Sequence, residues 1–188
     1  MSAPARLRLF AALELPEVAV RALAAFRDAA DPAAWRPVPD ASLHVTLVFL
    51  GASDPALVDP VGEVLRTAVG DAPAPALRLG EPLLLPPRRA RVLAAAVADP
   101  GGALATLQAR VAGGLVEAGV LEPESRPFRA HVTVGRLRPE ARAPRGADAI
   151  AAVPEPVAFA AGPVTLFASH THRTGARYEA LMRARFRS

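Results

Sequence analysis

Two short segments of the chain carry the same pair of chemically active side chains. Each has an apolar residue, a histidine, a valine, a threonine and a second apolar residue, giving His44 with Thr46 and His131 with Thr133. Random placement of 4 His among 188 residues would give far fewer than one such His-x-Thr pair. An imidazole beside a hydroxyl, present twice, predicts a site that moves protons between two histidines.

The apolar residues around both pairs predict β-strands, in which side chains alternate between two faces. Alternation puts each threonine on the face of its histidine, and it adds Val48 to the first face and Gly135 to the second. The other face of each strand is apolar and is expected in the core. The sequence therefore predicts two strands that present their His-Thr pairs to a shared cleft.

This set of groups suits attack on a phosphodiester. One imidazole can remove a proton from the nucleophile while the other protonates the leaving oxygen, and an unperturbed histidine pKa of about 6.5 lies near the working pH. The two hydroxyls can donate hydrogen bonds to the non-bridging oxygens, where negative charge grows. No metal is then required, and the residues alone do not say which histidine is the acid.

A third His-x-Thr, in His172-Arg173-Thr174, lacks the apolar flanks and precedes Gly175 at a predicted hairpin turn. We interpret it as a chance match. His170-Thr171-His172 has a spacing that can hold a metal, but no acidic pair completes the shell before Glu179. We therefore predict no metal site.

Composition excludes several classes of function. The 22 basic residues are all arginine, so the pI of about 11.0 reflects missing lysine rather than a high charge, and the net charge is only +4. Without lysine a lysyl-adenylate ligase is excluded, and without cysteine so are disulfides, thiol catalysis and Cys-zinc sites. No apolar run reaches the roughly 18 residues of a membrane span, and no secretory h-region precedes the first strand. We expect a cytoplasmic protein without membrane association or cofactor.

The pattern of apolar residues predicts an α+β fold. Helices are expected from 16 to 30, 54 to 70 and 103 to 117, with a loop over 139–156, and strands over 6–15, 43–50, 76–85, 91–98, 130–137, 157–168 and 177–187. Arg8-Leu-Phe-Ala-Ala-Leu before the first His strand is echoed by Arg91-Val-Leu-Ala-Ala-Ala before the second. We therefore expect one domain over 1–188 with two related lobes, each an antiparallel-rich sheet backed by helices.

The paired motifs resemble those of the two-histidine phosphoesterases. The wider match is similar to the bacterial RNA 2′,3′-cyclic phosphodiesterases, also called 2′-5′ RNA ligases, although Ala130 stands where that family usually has proline. The segments that carry the resemblance are the opening strand over 6–16, Leu43-His-Val-Thr-Leu-Val-Phe-Leu-Gly51, Arg126-Pro-Phe-Arg-Ala-His-Val-Thr-Val-Gly-Arg136, and a closing hairpin with Leu166-Phe-Ala-Ser169, Gly175 and Tyr178.

The resemblance implies residue roles. His44 would be the proton donor, His131 the proton acceptor, and Thr46 and Thr133 would bind the phosphate. The substrate would be RNA with a 2′,3′-cyclic phosphate end, opened to a 2′-phosphate. The family also joins such ends to 5′-hydroxyl RNA through a 2′-5′ bond without ATP.

Four further residues are candidates for substrate binding. The family has an arginine at Arg136, which favours a phosphate contact over a surface ion pair, although strict alternation points it away from the cleft. Phe49 would stack a base, with a core position as the alternative. Arg88 and Arg89 would contact the RNA backbone, with a solvated loop as the alternative. We expect a monomer.

Two rival functions remain open from the sequence. The first is a cyclic phosphodiesterase acting on small nucleotides, such as an ADP-ribose cyclic phosphate. The second is a non-catalytic RNA-binding module, against which the two complete His-Thr pairs argue, because a binding module needs no proton carriers.

Overall fold

In a computed structural model that describes residues 5–142, 154–172 and 175–187, the chain forms one curled, antiparallel sheet of nine strands with three α-helices. The predicted α+β class is confirmed. The strands are β1 (Leu7–Glu14), β2 (Trp35–Pro37), β3 (His44–Ser53), β4 (Ala76–Leu85), β5 (Val92–Ala98), β6 (His131–Leu137), β7 (Ala158–Ala160), β8 (Val164–His172) and β9 (Gly175–Ala184). The helices are α1 (Glu17–Asp28), α2 (Val58–Val69) and α3 (Ala103–Glu117).

The two strands that carry the His-Thr pairs lie side by side in the middle of the sheet. The strand order is β7-β4-β5-β6-β3-β1-β8-β9, with β2 paired to β6. β3 and β6 are antiparallel, and Val45 opposite Val132 is the register pair that joins them. Because these valines are the centres of the two motifs, antiparallel pairing brings each histidine towards the threonine of the other motif. The two halves of the sheet therefore meet where the His-Thr pairs lie.

The helices cover the face of the sheet away from the cleft. β1 sends Leu9 and Leu13 into a core that also contains Leu23 of α1, Leu65 of α2 and Leu104 of α3. Leu23, Leu65 and Leu104 lie on the buried sides of amphipathic helices, whose other sides face solvent. None of the helices in the described ranges is long and apolar enough to cross a membrane.

The structure departs from the predicted elements at two places. β2 has only three residues, one of them a proline, so it carries no alternation that a sequence pattern can detect. The predicted strand over 157–168 is two strands, β7 and β8, with Gly162 between them. A Cβ on Gly162 would lie 2.7 Å from the carbonyl oxygen of Glu14, which explains glycine at this close approach. Most of the predicted loop over 139–156, and Thr174 of the hairpin turn, lie outside the described residues.

Two adjacent glycines of α3 provide a test of helix packing behind the cleft. Gly113→Ala should stabilise the protein by up to about 1 kcal/mol, because its Cβ meets nothing within 4 Å and alanine favours the helix. Gly114→Ala should instead destabilise it by about 1–3 kcal/mol through overpacking, since its Cβ would lie 2.8 Å from Cγ1 of Val64 in α2. Urea unfolding of both variants measures the difference, and equal stabilities would contradict the tight α2–α3 contact.

Candidate active site

Both histidine strands contain the same β-bulge. On β3, Thr46 pairs with Ala12 and Val48 with Ala11, so Leu47 has no partner of its own. On β6, Thr133 and Gly135 pair with consecutive residues of β5, so Val134 is the extra residue. An extra residue shifts the alternation by one position. The two strands consequently show the same sequence of half-buried, buried and exposed positions over their first seven residues.

The bulges decide which side chains reach the cleft. Strict alternation predicted Val48 and Gly135 on the cleft face, and this is wrong: Val48 is 7% exposed and belongs to the core, and Gly135 is buried. The third residue after each threonine faces the cleft instead. This residue is Phe49 in the first half, 70% exposed, and the exposed Arg136 in the second. Arg136 is thus redirected towards the cleft by the backbone.

Each catalytic candidate is held by a backbone carbonyl two residues upstream. Nδ1 of His44 donates to the carbonyl oxygen of Ser42 at 2.8 Å, and Nδ1 of His131 donates to that of Arg129 at 2.7 Å. A carbonyl oxygen only accepts, so Nδ1 must carry a proton in both rings. In the neutral imidazole Nε2 is then free to accept a proton. Nε2 of His44 lies 3.1 Å from Oγ1 of Thr46.

One cavity of about 410 Å³ contains most of the predicted site. It is lined by the two His-Thr pairs together with Phe49 and Arg136, and also by Arg8, Phe10, Ser42, Ser169 and Tyr178. Arg88 and Arg89 do not line it; they are exposed in the turn between β4 and β5. Their contact with RNA stays a prediction.

His44 is surrounded by aromatic rings that keep water away from it. Its ring centroid lies 5.0 Å from that of Phe10 and 5.3 Å from that of Tyr178, which stands edge-on at 82°. Burial is the largest cause, and together with the neighbouring Arg136 and His131 it lowers the pKa of His44 to about 4, against the opposing bond to Ser42. His44 is therefore neutral at pH 7 in the free protein. Sequence reasoning missed this role of Tyr178, which appeared only as part of the resemblance.

His170, from the other histidine motif of the chain, does not line the cavity. Nε2 of His170 is 2.9 Å from Oε2 of Glu179 across the β8–β9 hairpin, and both side chains are largely exposed. The side chain of His172 is outside the described part of the chain. Across the described part, no three His, Asp or Glu side chains lie close enough together to hold a metal ion.

Both the sequence and the fold of the chain are matched in known proteins. The family model of the 2′-5′ RNA ligase superfamily matches residues 15–173. The chain belongs to this superfamily. The resemblance to the two-histidine phosphoesterases noted in the sequence is thereby confirmed.

Solved structures of other superfamily members have the same fold. The protein TT0787 of Thermus thermophilus is 27% identical, with a TM-score of 0.77 over 96% of this chain and 98% of its own. Escherichia coli LigT with 3′-AMP is 26% identical, with the same TM-score and coverages. LigT with NADP+ is 25% identical, again with a TM-score of 0.77, over 97% of this chain and 99% of its own. No curated protein sequence matches the chain.

The buried imidazole of His44 should make stability depend on pH. Because the folded pKa is about 4 and the unfolded one 6.5, the unfolded chain binds the extra proton between these values. The free energy of unfolding is therefore unaffected by this group above pH 6.5. It decreases as the pH falls, by about 3 kcal/mol at pH 4. His44→Gln should remove this part of the pH dependence. Urea unfolding of both proteins from pH 7 to 4 measures it, and parallel curves would contradict the burial argument.

Proposed function

We propose that the protein hydrolyses 2′,3′-cyclic phosphate ends of RNA to 2′-phosphomonoesters, without a metal ion, by paired histidine acid–base catalysis. The observation that carries the proposal is the matched pair His44 and His131, each fixed through Nδ1 and each lining the same cavity. Membership of a superfamily of RNA ligases and phosphoesterases supports a nucleic acid substrate. The adenine nucleotide bound to E. coli LigT supports a cleft that accepts nucleotides.

In the proposed hydrolysis, His131 is the general base. Its Nδ1 proton is held by the carbonyl of Arg129, so its neutral ring accepts the proton of a water molecule through Nε2. The water attacks phosphorus and the bond to the 3′ oxygen breaks. Replacing water by a ribose 5′-hydroxyl gives the related 2′-5′ joining of RNA ends, in which one phosphodiester bond replaces another and no ATP is needed.

His44 is the proposed general acid, and the substrate itself must charge it. The ring is neutral in the free protein because it is buried and faces the positive Arg136. A bound phosphodiester brings one negative charge between these groups and therefore raises the pKa of His44. The proton taken up on binding is the one that His44 then gives to the departing 3′ oxygen.

Charge on the non-bridging oxygens would be stabilised by Thr46, Thr133 and Arg136, all of which donate hydrogen bonds and line the cavity. This set replaces the Lewis acid of a metal-dependent phosphodiesterase. Phe49, exposed at the cavity rim, would stack the terminal base. Arg88 and Arg89 would contact the RNA chain further out.

We place the protein in the cytoplasm as a monomer whose two lobes form one domain.

Incubation of the pure protein with a 2′,3′-cyclic phosphate oligonucleotide in excess EDTA should yield the 2′-phosphate. His44→Ala and His131→Ala should each lower the rate about 10²- to 10⁴-fold, the usual contribution of a general acid or base. Thr46→Ala and Thr133→Ala should cost less, because each removes one charge-assisted hydrogen bond. Product chromatography and initial rates measure these effects.

His170→Ala is the matched control for that experiment, since His170 pairs with Glu179 outside the cavity. Its rate should equal that of the unaltered protein. Activity that disappears in EDTA and returns only with one divalent ion would contradict metal independence. Full activity in either cleft histidine variant would contradict the assignment of the acid–base pair.

Phosphodiester binding should take up a proton at about pH 6, because His44 is neutral there in the free protein and becomes charged in the complex. A DNA dinucleotide is a suitable probe, since it keeps one negative charge and has no 2′-hydroxyl to react. Titration calorimetry in buffers of different ionisation enthalpy gives the number of protons bound. His44→Gln should abolish the uptake, and an enthalpy that is independent of buffer in the unaltered protein would refute the proposed charging step.

A further inference from the structure

The cavity extends beyond the catalytic groups to a second polar end. On β1, Arg8, Phe10 and Ala12 alternate with core residues and therefore share the cleft face. Arg8 pairs with Ser169 of β8, which in turn pairs with Tyr178 of β9. Arg8, Ser169 and Tyr178 all line the cavity and form one row across three strands, here called the Arg8 row.

Arg8 and Ser169 are separated from the reacting groups by an aromatic floor, to which the ring of Tyr178 also belongs, because it packs against both Phe10 and His44. Ala12, opposite Thr46, marks the catalytic end, and Arg8 lies four residues away along β1, about 13 Å at the usual rise per residue. Phe10, opposite Phe49, lies halfway between them, with the two ring centroids 6.1 Å apart. An arginine side chain is long enough to cover part of this backbone distance, so a guanidinium turned towards the catalytic end would lie within the order of one nucleotide of it.

The charges in the cavity exceed what one phosphate needs. Among the described residues, its lining contains two arginines, Arg136 near His44 and Arg8 at the far end, and no carboxylate. Within the described residues no carboxylate lies at ion-pair distance from Arg8, whereas Arg21, Arg66 and Arg126 on the surface have such partners. A reacting phosphodiester carries one negative charge, so the second guanidinium is left for a second anion.

We propose that Arg8, with the hydroxyls of Ser169 and Tyr178, binds the 5′-phosphate of the nucleotide whose 2′,3′-cyclic phosphate reacts. This inference rests on the proposed function, because the catalytic end fixes where the reacting phosphate lies. Guanidinium and hydroxyl groups can all donate, and a phosphate oxygen only accepts, so the chemistry of the row suits this group. Arg8 thereby selects RNA ends, in which the terminal nucleotide has a 5′-phosphate linkage, over nucleosides that lack one.

Binding of two unreactive ligands tests the proposal without any turnover. A nucleoside 3′,5′-bisphosphate should bind the unaltered protein about tenfold more tightly than the 3′-monophosphate, which corresponds to one charge-assisted contact. Arg8→Gln should abolish this preference and leave affinity for the monophosphate within about twofold. Arg136→Gln should weaken both ligands, because it removes a contact to the phosphate that they share.

Arg78→Gln is the matched control, since it removes one exposed positive charge of β4 outside the cavity. It should keep the tenfold preference. For a short oligonucleotide, Arg8→Gln should also reduce the magnitude of the salt slope by about 0.7, the value for one phosphate on a single strand. Ser169→Ala, a smaller change, should lower the preference without altering the salt slope.

The outcomes separate this proposal from the proposed function. Equal affinities for the two ligands, or a preference that survives in Arg8→Gln, would overturn the Arg8 assignment even if cyclic phosphates are hydrolysed. A preference that Arg8→Gln removes would support it even in a protein that fails to open cyclic phosphates. A change in Arg78→Gln as large as that in Arg8→Gln would overturn it as well, because net charge alone would then account for the effect.

Discussion

Val45 opposite Val132 is the register pair through which the two halves of the sheet join within the described residues. β3 and β6 pair only at this position among the described residues, and residues of both strands line the cavity. The same pair sits at the centre of both motifs, so it also fixes the mutual position of four polar side chains. Hydrogen bonds from each imidazole to a carbonyl of its own chain then orient the rings. Fold and catalytic geometry therefore depend on one contact.

The electrostatics of the cleft favour binding of an anion, and they disfavour a second positive charge on His44 while the site is empty. Aromatic rings pack against His44, and Arg136 lies close by, with no carboxylate among the described residues that line the cavity. The free protein responds by leaving His44 neutral. Under the proposed function, a bound phosphodiester would relieve the imbalance and raise the pKa of His44, so that substrate binding would also protonate the general acid.

Most helices and strands, and the two His-Thr pairs, could be predicted from the sequence because their signals are local. These signals are alternating apolar residues, Pro and Gly at the ends of elements, and a repeated tripeptide. It failed where a backbone irregularity intervened. Val48 was misplaced because a bulge at Leu47 has no sequence signature of its own. Tyr178 reaches His44 only through the pairing of β1, β8 and β9, distant in sequence. The three-residue β2 was missed because it is shorter than any detectable period.

The repeated bulge leaves a nearly symmetric scaffold with different side chains at equivalent positions. In each half the third residue after the threonine enters the cleft, but it is an apolar ring in one half and a cation in the other. A symmetric cleft would accept an elongated ligand in two opposite orientations, each presenting a different histidine to the leaving oxygen. Phe49 and Arg136 make these orientations unequal in energy. If RNA ends are the substrate, as proposed, one residue in each half would set the direction in which they enter, on a backbone that by itself would not distinguish the two directions.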